Sequence, residues 1–284
     1  MSGSASFCEN SSMISESVQR AFGLTGTATR LSGGSGITYR LGDVVLKRLH
    51  RTSLESEHSL ALAPWLAAEL AQVEQVGFRL STPLASRSGQ WMLEDGWTAW
   101  TFLEGRYADD ADVPAVIDAV TALHHQLGHV RKHPLLDANT TPWGFAHRYC
   151  WRNQSVRVHP LLAELVAELY ARYRPLPSLP CQLIHGDLNV DNIIVTPDQP
   201  PGFIDFTPFW APVDFAIAIF ANWVGPRRGD VRVLKHFENI PHFPQLLLRS
   251  SVRMLLIVSE LDGVAGWESA PEKRAAELVL EWVH

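Results

Sequence analysis

The stretch LIHGDLNVDNIIV, residues 183–195, places four polar side chains between two apolar runs that are typical of buried β-strand. These side chains belong to His185, Asp187, Asp191 and Asn192. Polar groups in such surroundings cost free energy unless other groups pair with them. A tight turn needs only one or two residues of this kind. The cluster therefore indicates a chemical role as well as a turn.

Asp187 and Asn192 stand in the pattern D-x-x-x-x-N. In phosphotransfer catalytic loops with this spacing, the aspartate accepts the proton of the attacking hydroxyl and the asparagine holds a metal ion. The chemistry otherwise needs a positioned acceptor and fixed charges around the phosphate oxygens. The alternative is that His185 and the aspartates only cap turns. The pattern continues to a hairpin that ends in Ile-Asp-Phe, so we favour the catalytic interpretation.

A second carboxylate, Asp205, follows in the strand-like run GFIDF after a six-residue turn. If Val195 pairs with Gly202 in an antiparallel hairpin, Asn192 lies opposite Asp205, and opposed residues point to the same face of a sheet. An amide and a carboxylate side by side are suitable oxygen ligands for Mg²⁺. This register is a hypothesis, because a loop of that length can slip by one residue.

A glycine-rich loop lies between two strand-like runs near the N-terminus and contains Gly33, Gly34, Ser35 and Gly36. Bare backbone amides in such a loop can approach phosphate groups closely. The loop has Tyr39 in place of the third glycine of G-x-G-x-x-G, and it is not a Walker A loop. Ordinary hairpin loops are also rich in glycine. Taken alone, this loop is weak evidence for a phosphate site.

Lys47 lies in the run VVLKRL and shares one face of the predicted strand with Val45. If that face is covered, the lysine needs an anionic partner, which the phosphates of a nucleotide would supply while Val45 packs on the base. The alternative is a lysine on an exposed edge strand. In protein kinases a helix glutamate orients this lysine, and either Glu55 or Glu57 could do so. We prefer Glu57, because Thr52 and Glu55 fit a capping box.

The pattern in the N-terminal part of the chain predicts strands and two helices. A helix is predicted after the N-cap Ser15, and another from Thr52 that Pro64 should end. Gly-Asp at 42–43 predicts a hairpin between two strands. Asp-Gly at 95–96 predicts a second hairpin between QWMLE (90–94) and WTAWTFL (97–103). Together these elements predict a sheet of roughly five strands.

Beyond residue 102 the pattern becomes helical. Apolar residues at three-and-four spacing predict helices over 112–127 and 159–173. We therefore expect a β-rich part followed by an α-rich part.

Composition excludes several classes of protein. The net charge of −6, the isoelectric point near 6.0 and the lack of a basic patch argue against a nucleic-acid partner. Cys8, Cys150 and Cys181 are far apart and cannot form a disulfide framework or a four-cysteine zinc site. The opening residues do not resemble a signal peptide. The most apolar later stretch, 209–225, is too short for a membrane span. We expect a cytoplasmic protein with no membrane contact and an undetermined oligomeric state.

Together these residues resemble the aminoglycoside phosphotransferase and choline kinase-like family, which has the protein kinase-like fold. The similarity covers most of the chain, and the set His185, Asp187, Asn192 and Asp205 is its specific part. The resemblance implies an α+β, bilobal protein kinase-like fold. Its N-terminal lobe, 1–102, would be an antiparallel sheet with a helix that binds nucleotide. Its C-terminal lobe, 103–284, would be mainly α-helical and would carry catalysis and acceptor binding.

The resemblance also implies an activity. The protein would be a kinase that moves the γ-phosphate of ATP, or of GTP, to a hydroxyl of a small molecule with Mg²⁺ as cofactor. Asp187 would be the catalytic base, and Asn192 and Asp205 would be the metal ligands. His185 and Asp214 would support the loop. The nucleotide base would contact the connection formed by Thr101, Phe102 and Leu103.

The acceptor side departs from the family pattern. Enzymes that bind polycationic aminoglycosides need clustered carboxylates, but beyond Phe206 the chain has nine acidic and eight basic residues. The run FTPFWAP after Asp205 is also unusual and should stiffen that segment. A pseudokinase that binds nucleotide and regulates a partner is the alternative of a different class. A metal hydrolase at His185 and Asp187 ranks third, because no further histidines stand at suitable spacing.

Overall fold

The computed structural model describes residues 14–31, 37–49, 57–151, 157–261 and 263–283. The glycine loop at 33–36 and the capping box at 52–55, with Glu55, lie outside the described residues. The chain divides into two compact units. The first contains Met1–His50 and Pro83–Phe102, and the second contains Arg51–Thr82 and Leu103–His284. One boundary coincides with the predicted one after residue 102, whereas residues 51–82 group with the second unit. The two-lobe division at 102 stays a prediction.

The strands are β1 (Thr29–Arg30), β2 (Ile37–Leu41), β3 (Val44–Arg48), β4 (Arg79–Leu80), β5 (Pro83–Leu84), β6 (Trp97–Thr101), β7 (Arg106–Tyr107), β8 (Gln182–His185), β9 (Ile193–Val195), β10 (Gly202–Phe203) and β11 (Pro208–Ala211). The α-helices are α1 (Glu16–Ala21), α2 (Glu57–Leu70), α3 (Val113–Leu127), α4 (Pro142–Tyr149), α5 (Pro160–Ala171), α6 (Val213–Val224), α7 (Phe243–Glu260) and α8 (Pro271–Trp282).

The first unit contains an antiparallel sheet in the order β1-β2-β3-β6-β5. Tyr39, Leu46 and Ala99 are paired across its three middle strands and form the buried face. Helix α1 covers this face through Val18. Its N-cap is Ser15, whose hydroxyl accepts the Val18 N–H at 3.4 Å, as the sequence predicted. The hairpin at 42–43 is also confirmed, with Gly42 at φ +62°.

Two expectations for this part of the chain are wrong. Residues 90–94 do not form a strand, and β5 pairs with β6 instead. The reason is a separate turn. In it the Ser86 N–H donates to the Gln90 carbonyl at 2.8 Å and the Gln90 N–H donates to the Ser86 hydroxyl at 3.0 Å, so Gln90 is bonded within the turn and not to a neighbouring strand. Pro64 does not end a helix either, because α2 runs through it. Burial of Leu62, Leu66 and Leu70 compensates for the hydrogen bond that a helical proline removes.

The second unit contains two small sheets among helices. One sheet has the order β4-β10-β9-β7, and in the other β8 pairs with β11. Helices α3 and α5 confirm the helices predicted over 112–127 and 159–173. Helix α7 is buried along most of its length and contacts α4, α5, α6 and α8. The predicted combination of an N-terminal antiparallel sheet and a helical C-terminal region is confirmed. Within the described residues, no helix has the length and apolarity that a bilayer span requires.

The predicted register of the hairpin after Asn192 is wrong by one residue. Gly202 pairs with Ile194 rather than with Val195, and Phe203 pairs with Ile193. The connecting loop takes up the extra residue, with Asp198 in the left-handed region at φ +60°. As a result Asn192 stands opposite Ile204, whose N–H donates to the Asn192 carbonyl at 3.0 Å.

Candidate active site

The motif His-Gly-Asp begins where β8 ends, and its glycine is required by packing. His185 is paired with Pro208 on β11, and the Gly186 N–H donates to the Thr207 carbonyl at 2.7 Å. The ring of Phe209 lies directly against Gly186, so that a Cβ atom there would overlap the ring. Only glycine allows the strand to continue into the loop under this aromatic ring.

His185 connects two loops through backbone groups. The Asp187 N–H donates to its Nδ1 atom at 3.2 Å, so Nε2 carries the hydrogen and donates to the Ile204 carbonyl at 3.0 Å. The side chain is fully buried, and this burial lowers the pKa of His185. A neutral ring therefore holds the backbone of Asp187 next to the residue that precedes Asp205. This geometry fits the supporting role that the resemblance implies.

His124, on α3, was missed by the sequence reasoning as a part of this arrangement. Its Nδ1 atom donates to the Val120 carbonyl at 2.7 Å, and its Nε2 atom accepts the His185 N–H at 3.2 Å. Burial lowers the pKa of His124 to about 4. The signal was its place in the helical pattern, four residues after Val120 and on the apolar face. A histidine at such a position needs hydrogen-bond partners in the core.

The Asp187 carboxylate is oriented by two amides. Asn192 Nδ2 donates to the Asp187 backbone carbonyl at 2.8 Å and to Oδ2 at 3.1 Å. Asn189 Nδ2 contacts the same Oδ2 atom at 3.3 Å, and the Asn189 side-chain oxygen caps the 3₁₀ turn at Val190–Asn192. Asn189 was also missed by the sequence reasoning, although an asparagine before a short helical turn is a typical N-cap. The carboxylate is thus held in place by neutral donors.

Asp205 is connected to Asn192 through Ile204, by a route that the sequence did not predict. Asp205 has φ +51°, a conformation that is uncommon for a residue other than glycine and is concentrated at functional sites. It directly follows Ile204, which is hydrogen-bonded to both His185 and Asn192. The Thr207 hydroxyl donates to the Asp205 carbonyl at 3.2 Å. Strand β10 has already ended at Phe203, so the alternation of a regular hairpin does not reach Asp205.

The residues present fit a hard divalent cation. The amide nitrogen of Asn192 is bonded to Asp187, which leaves the amide oxygen as the atom able to bind a metal. Among the described residues no cluster of three or more His, Cys, Asp or Glu is suited to a metal ion. Asn192 and Asp205 would therefore supply only two protein ligands. That number is usual for Mg²⁺, which keeps waters and binds substrate phosphates.

Asp214 and Arg253 are two further charged residues of the second unit, on α6 and α7. Asp214 lies in the first turn of α6, and within the described part of the chain it makes no hydrogen bond to residues 186–192. Burial raises the pKa of Asp214. Arg253, on α7, is buried and interacts electrostatically with Asp187. The sequence reasoning missed this arginine, because the two arginines of this long apolar helix form no recognisable motif.

Lys47 and Val45 are half-buried on β3, the middle strand of the first unit's sheet. The alternative of an exposed edge strand for Lys47 is therefore excluded. Lys47 is paired with Thr38 and Thr98, and the Thr98 hydroxyl donates to the Lys47 carbonyl at 3.1 Å. Glu57 is exposed at the start of α2 and belongs to the second unit. Its pairing with Lys47 stays a prediction.

The three residues predicted to contact the nucleotide base, Thr101, Phe102 and Leu103, each make different contacts. Thr101 ends β6 opposite Val44, and the Phe102 N–H donates to the Asp43 carbonyl at 2.8 Å. The guanidinium of Arg40 lies 3.7 Å from the centroid of the Phe102 ring. Leu103 belongs to the second unit and packs against Gly202.

The sequence profile of the phosphotransferase enzyme family matches residues 27–247. No curated protein matches the chain in sequence. Among solved structures, one that is similar is an amicoumacin kinase in complex with AMP-PNP, Ca²⁺ and Ami. Its TM-score is 0.61 at 14% identity, with coverage of 94% of this chain and 92% of that one.

Two further solved structures are similar. One is a thermostable aminoglycoside phosphotransferase mutant in complex with ADP and hygromycin B, with a TM-score of 0.58, 14% identity and coverage of 93% and 96%. The other is a choline/ethanolamine kinase family protein from Mesorhizobium loti, with a TM-score of 0.55, 15% identity and coverage of 92% and 88%. At such identities the likeness shows the fold, and it confirms the protein kinase-like fold predicted from the sequence.

Proposed function

Because the chain belongs to the phosphotransferase enzyme family, we propose that it transfers the γ-phosphate of ATP or GTP to a hydroxyl of a small molecule. The observation that carries this proposal is the set of bonds that His185 makes. Its two ring nitrogens hold the backbone of Asp187 and the residue before Asp205. These bonds would fix a carboxylate for proton transfer relative to a pair of metal ligands, and positioning is most of what phosphoryl transfer requires.

Asp187 would act as the general base. Its Oδ2 atom accepts hydrogen bonds from Asn192 and Asn189, which orient the carboxylate before an acceptor binds. The acceptor hydroxyl would donate its proton to Asp187 as its oxygen attacks the γ-phosphorus, and the bond from that phosphorus to the bridging oxygen would break to release ADP or GDP. No rearrangement of the carboxylate is then needed during the reaction.

Asn192 and Asp205 would hold Mg²⁺, which supplies charge neutralisation on the phosphate oxygens when it is bound. Lys47, with Val45 on the same strand, is the candidate for contacts to the nucleotide, and the glycine loop and the connection at Thr101–Leu103 are the other candidates. Glu57 would orient Lys47. We further propose a small-molecule acceptor rather than nucleic acid, and a cytoplasmic location.

Thermal unfolding tests the nucleotide and metal sites. Wild type and Asp205→Ala are heated with ATP and MgCl₂, each alone and together. At a ligand concentration of one hundred times its Kd, binding to the folded state adds about 2.7 kcal/mol to the free energy of unfolding. We expect stabilisation by ATP that requires Mg²⁺ and is lost in Asp205→Ala. If neither ATP nor GTP stabilises the wild type, the proposed function is wrong.

Asp187→Asn separates an enzyme from a pseudokinase. This variant retains the size of the side chain and leaves the metal ligands in place. It should bind ATP and Mg²⁺ as the wild type does, while ADP release in the presence of an acceptor falls by about a thousandfold or more. Turnover equal to that of the wild type would show that Asp187 is not the base.

A further inference from the structure

Arg253 presents buried hydrogen-bond donors that no described residue satisfies. The residue lies in α7 and is 4% exposed. Its Nε and Nη2 atoms are buried without a hydrogen-bond partner, and among the described residues it forms no ion pair with a carboxylate. An unpaired buried cation is costly, and a protein retains one only if something compensates for it. Packing on the ring of Phe209, whose centroid lies 5.1 Å away, compensates only in part.

The guanidinium lies close to the proposed catalytic base. The Phe209 ring that Arg253 faces is the same ring that packs against Gly186, the residue before Asp187. The charges of Arg253 and Asp187 interact, and the Asp187 carboxylate partly offsets the burial that lowers the pKa of Arg253. A ligand bound to Arg253 would therefore lie near the carboxylate that takes the acceptor's proton.

His147 adds a second unsatisfied atom at the same ring. Its imidazole packs on Phe209 with a centroid distance of 4.3 Å, and its Nδ1 atom is buried without a partner. Its Nε2 atom faces the Trp210 carbonyl at 3.4 Å, so this nitrogen carries the hydrogen and Nδ1 is an acceptor. Burial lowers the pKa of His147 to about 3, and the charge of Arg253 acts in the same direction. The neutral ring can accept a hydrogen bond from a hydroxyl.

Three cations and one carboxylate act near this ring. Besides Arg253, both Arg148 and Lys132 act on His147 electrostatically, and the Asp187 carboxylate acts on Arg253. The cations outnumber the carboxylate. A polycationic acceptor would meet repulsion here, whereas an anion would supply the missing partners of Nε and Nη2.

We propose that the acceptor is an anionic hydroxy compound whose carboxylate or phosphate group binds Arg253, while His147 Nδ1 accepts a hydrogen bond from one of its hydroxyls. This inference rests on the proposed phosphotransferase function and specifies the acceptor class of the same site. The guanidinium fork suits two oxygens of one oxyanion, and Nε and Nη2 are the two nitrogens that lack partners in the described part of the chain.

Four compounds that share a diol core and differ in one substituent test the charge preference. They are glycerate, glycerol phosphate, glycerol and aminopropanediol. Binding to the wild type is measured by calorimetry, and ADP release is measured with ATP and MgCl₂. We expect glycerate or glycerol phosphate to bind at least about tenfold more tightly than the neutral and cationic compounds. The comparison of the two anions distinguishes a carboxylate from a phosphate.

Arg253→Met and Arg249→Met test the residue. Arg249 lies one turn earlier on the same helix and is 5% exposed, but its Nη1 and Nη2 atoms donate to the Gln245 and Arg174 carbonyls, and its Nε atom alone of the three is buried without a partner. Arg253→Met should weaken anion binding by about tenfold to a hundredfold, and Arg249→Met should leave it within about twofold. Stabilisation by ATP and Mg²⁺ should persist in Arg253→Met.

Three outcomes would overturn the inference: preferential use of the neutral or cationic compound, anion binding that Arg253→Met does not change, or no binding of either anion. In each case stabilisation of the wild type by ATP and Mg²⁺ would leave the proposed function intact. Loss of that stabilisation would instead refute the proposed function, so the two failures are distinguishable.

Discussion

The two buried histidines use all four ring nitrogens in hydrogen bonds to backbone groups. His124 accepts the His185 N–H, and His185 in turn accepts the Asp187 N–H, so each ring must be neutral and in one tautomer. The sequence identified His185, because it lies within a motif. It did not identify His124, because only the folded structure shows which buried backbone group a core histidine meets.

The stability of the protein should therefore fall in mild acid. The pKa of His124 is lowered to about 4 in the folded state, from 6.5. The unfolded chain then binds more protons between pH 6.5 and pH 4, so the free energy of unfolding decreases as the pH falls through this range. His124 alone should account for about 3 kcal/mol.

His124→Gln is the matched variant, because its amide oxygen can still accept the His185 N–H but does not titrate. Urea unfolding of both proteins between pH 7 and pH 4 gives the measurement. As the pH falls from 7 to 4, the free energy of unfolding of the wild type should decrease by about 3 kcal/mol more than that of the variant. Parallel pH profiles would show that His124 is not the titrating group.

The existence of the hairpin β9–β10 was easier to predict than its details, whereas β11 and its pairing with β8 were not predicted. Apolar runs bounded by polar turns indicated both hairpin strands correctly. The register was wrong by one residue, because a loop with Asp198 at positive φ can hold one residue more than simple pairing assumes. The packing of Phe209 on Gly186 could not be predicted, since no sequence pattern connects positions in different strands.

Gly186→Ala tests that packing. The new methyl group overlaps the Phe209 ring, and overpacking of this kind costs about 1–3 kcal/mol. The measurement is the free energy of urea unfolding of wild type, Gly186→Ala, Phe209→Leu and the double variant. Because the smaller leucine leaves room for the methyl group, the cost of Gly186→Ala should be smaller in the Phe209→Leu background. Equal costs in both backgrounds would exclude the clash.

At the scale of the whole molecule, the second unit is assembled from separate parts of the chain. Strand β4 pairs in parallel with β10, and Phe78 packs against Phe203 with a centroid distance of 6.5 Å. The sequence predicted one change from strands to helices near residue 102. It could not place 51–82 in the second unit, because a two-residue strand has no detectable period and its partner lies over 100 residues away.

Arg79 connects this distant segment to the β9–β10 hairpin. Its guanidinium donates to the Pro200 carbonyl at 2.9 Å, to the Ile194 carbonyl at 3.1 Å and to the Thr196 hydroxyl at 3.1 Å. Arg79→Met should lower the free energy of unfolding by about 2–3 kcal/mol, because half-buried carbonyls lose their donors. Hydrogen exchange should show the loss of protection at β9 and β10.

Arg30→Met provides the control, since Arg30 is exposed in β1 of the first unit. Its stability should stay within about 0.5 kcal/mol of the wild type. An equal loss in both variants would mean that removal of a positive charge, and not the bonds of Arg79, causes the effect.

The bonds of His185 have a consequence for how such a protein can evolve. They run from the His185 ring to backbone atoms in the two loops of the proposed catalytic site. No residue of α7 takes part in these two hydrogen bonds. Residues on α7 such as Arg253 can therefore be exchanged by mutation without dismantling the catalytic centre. Selection on the acceptor and selection on the chemistry then act on separate groups of positions, so one scaffold can acquire a new substrate in a few steps.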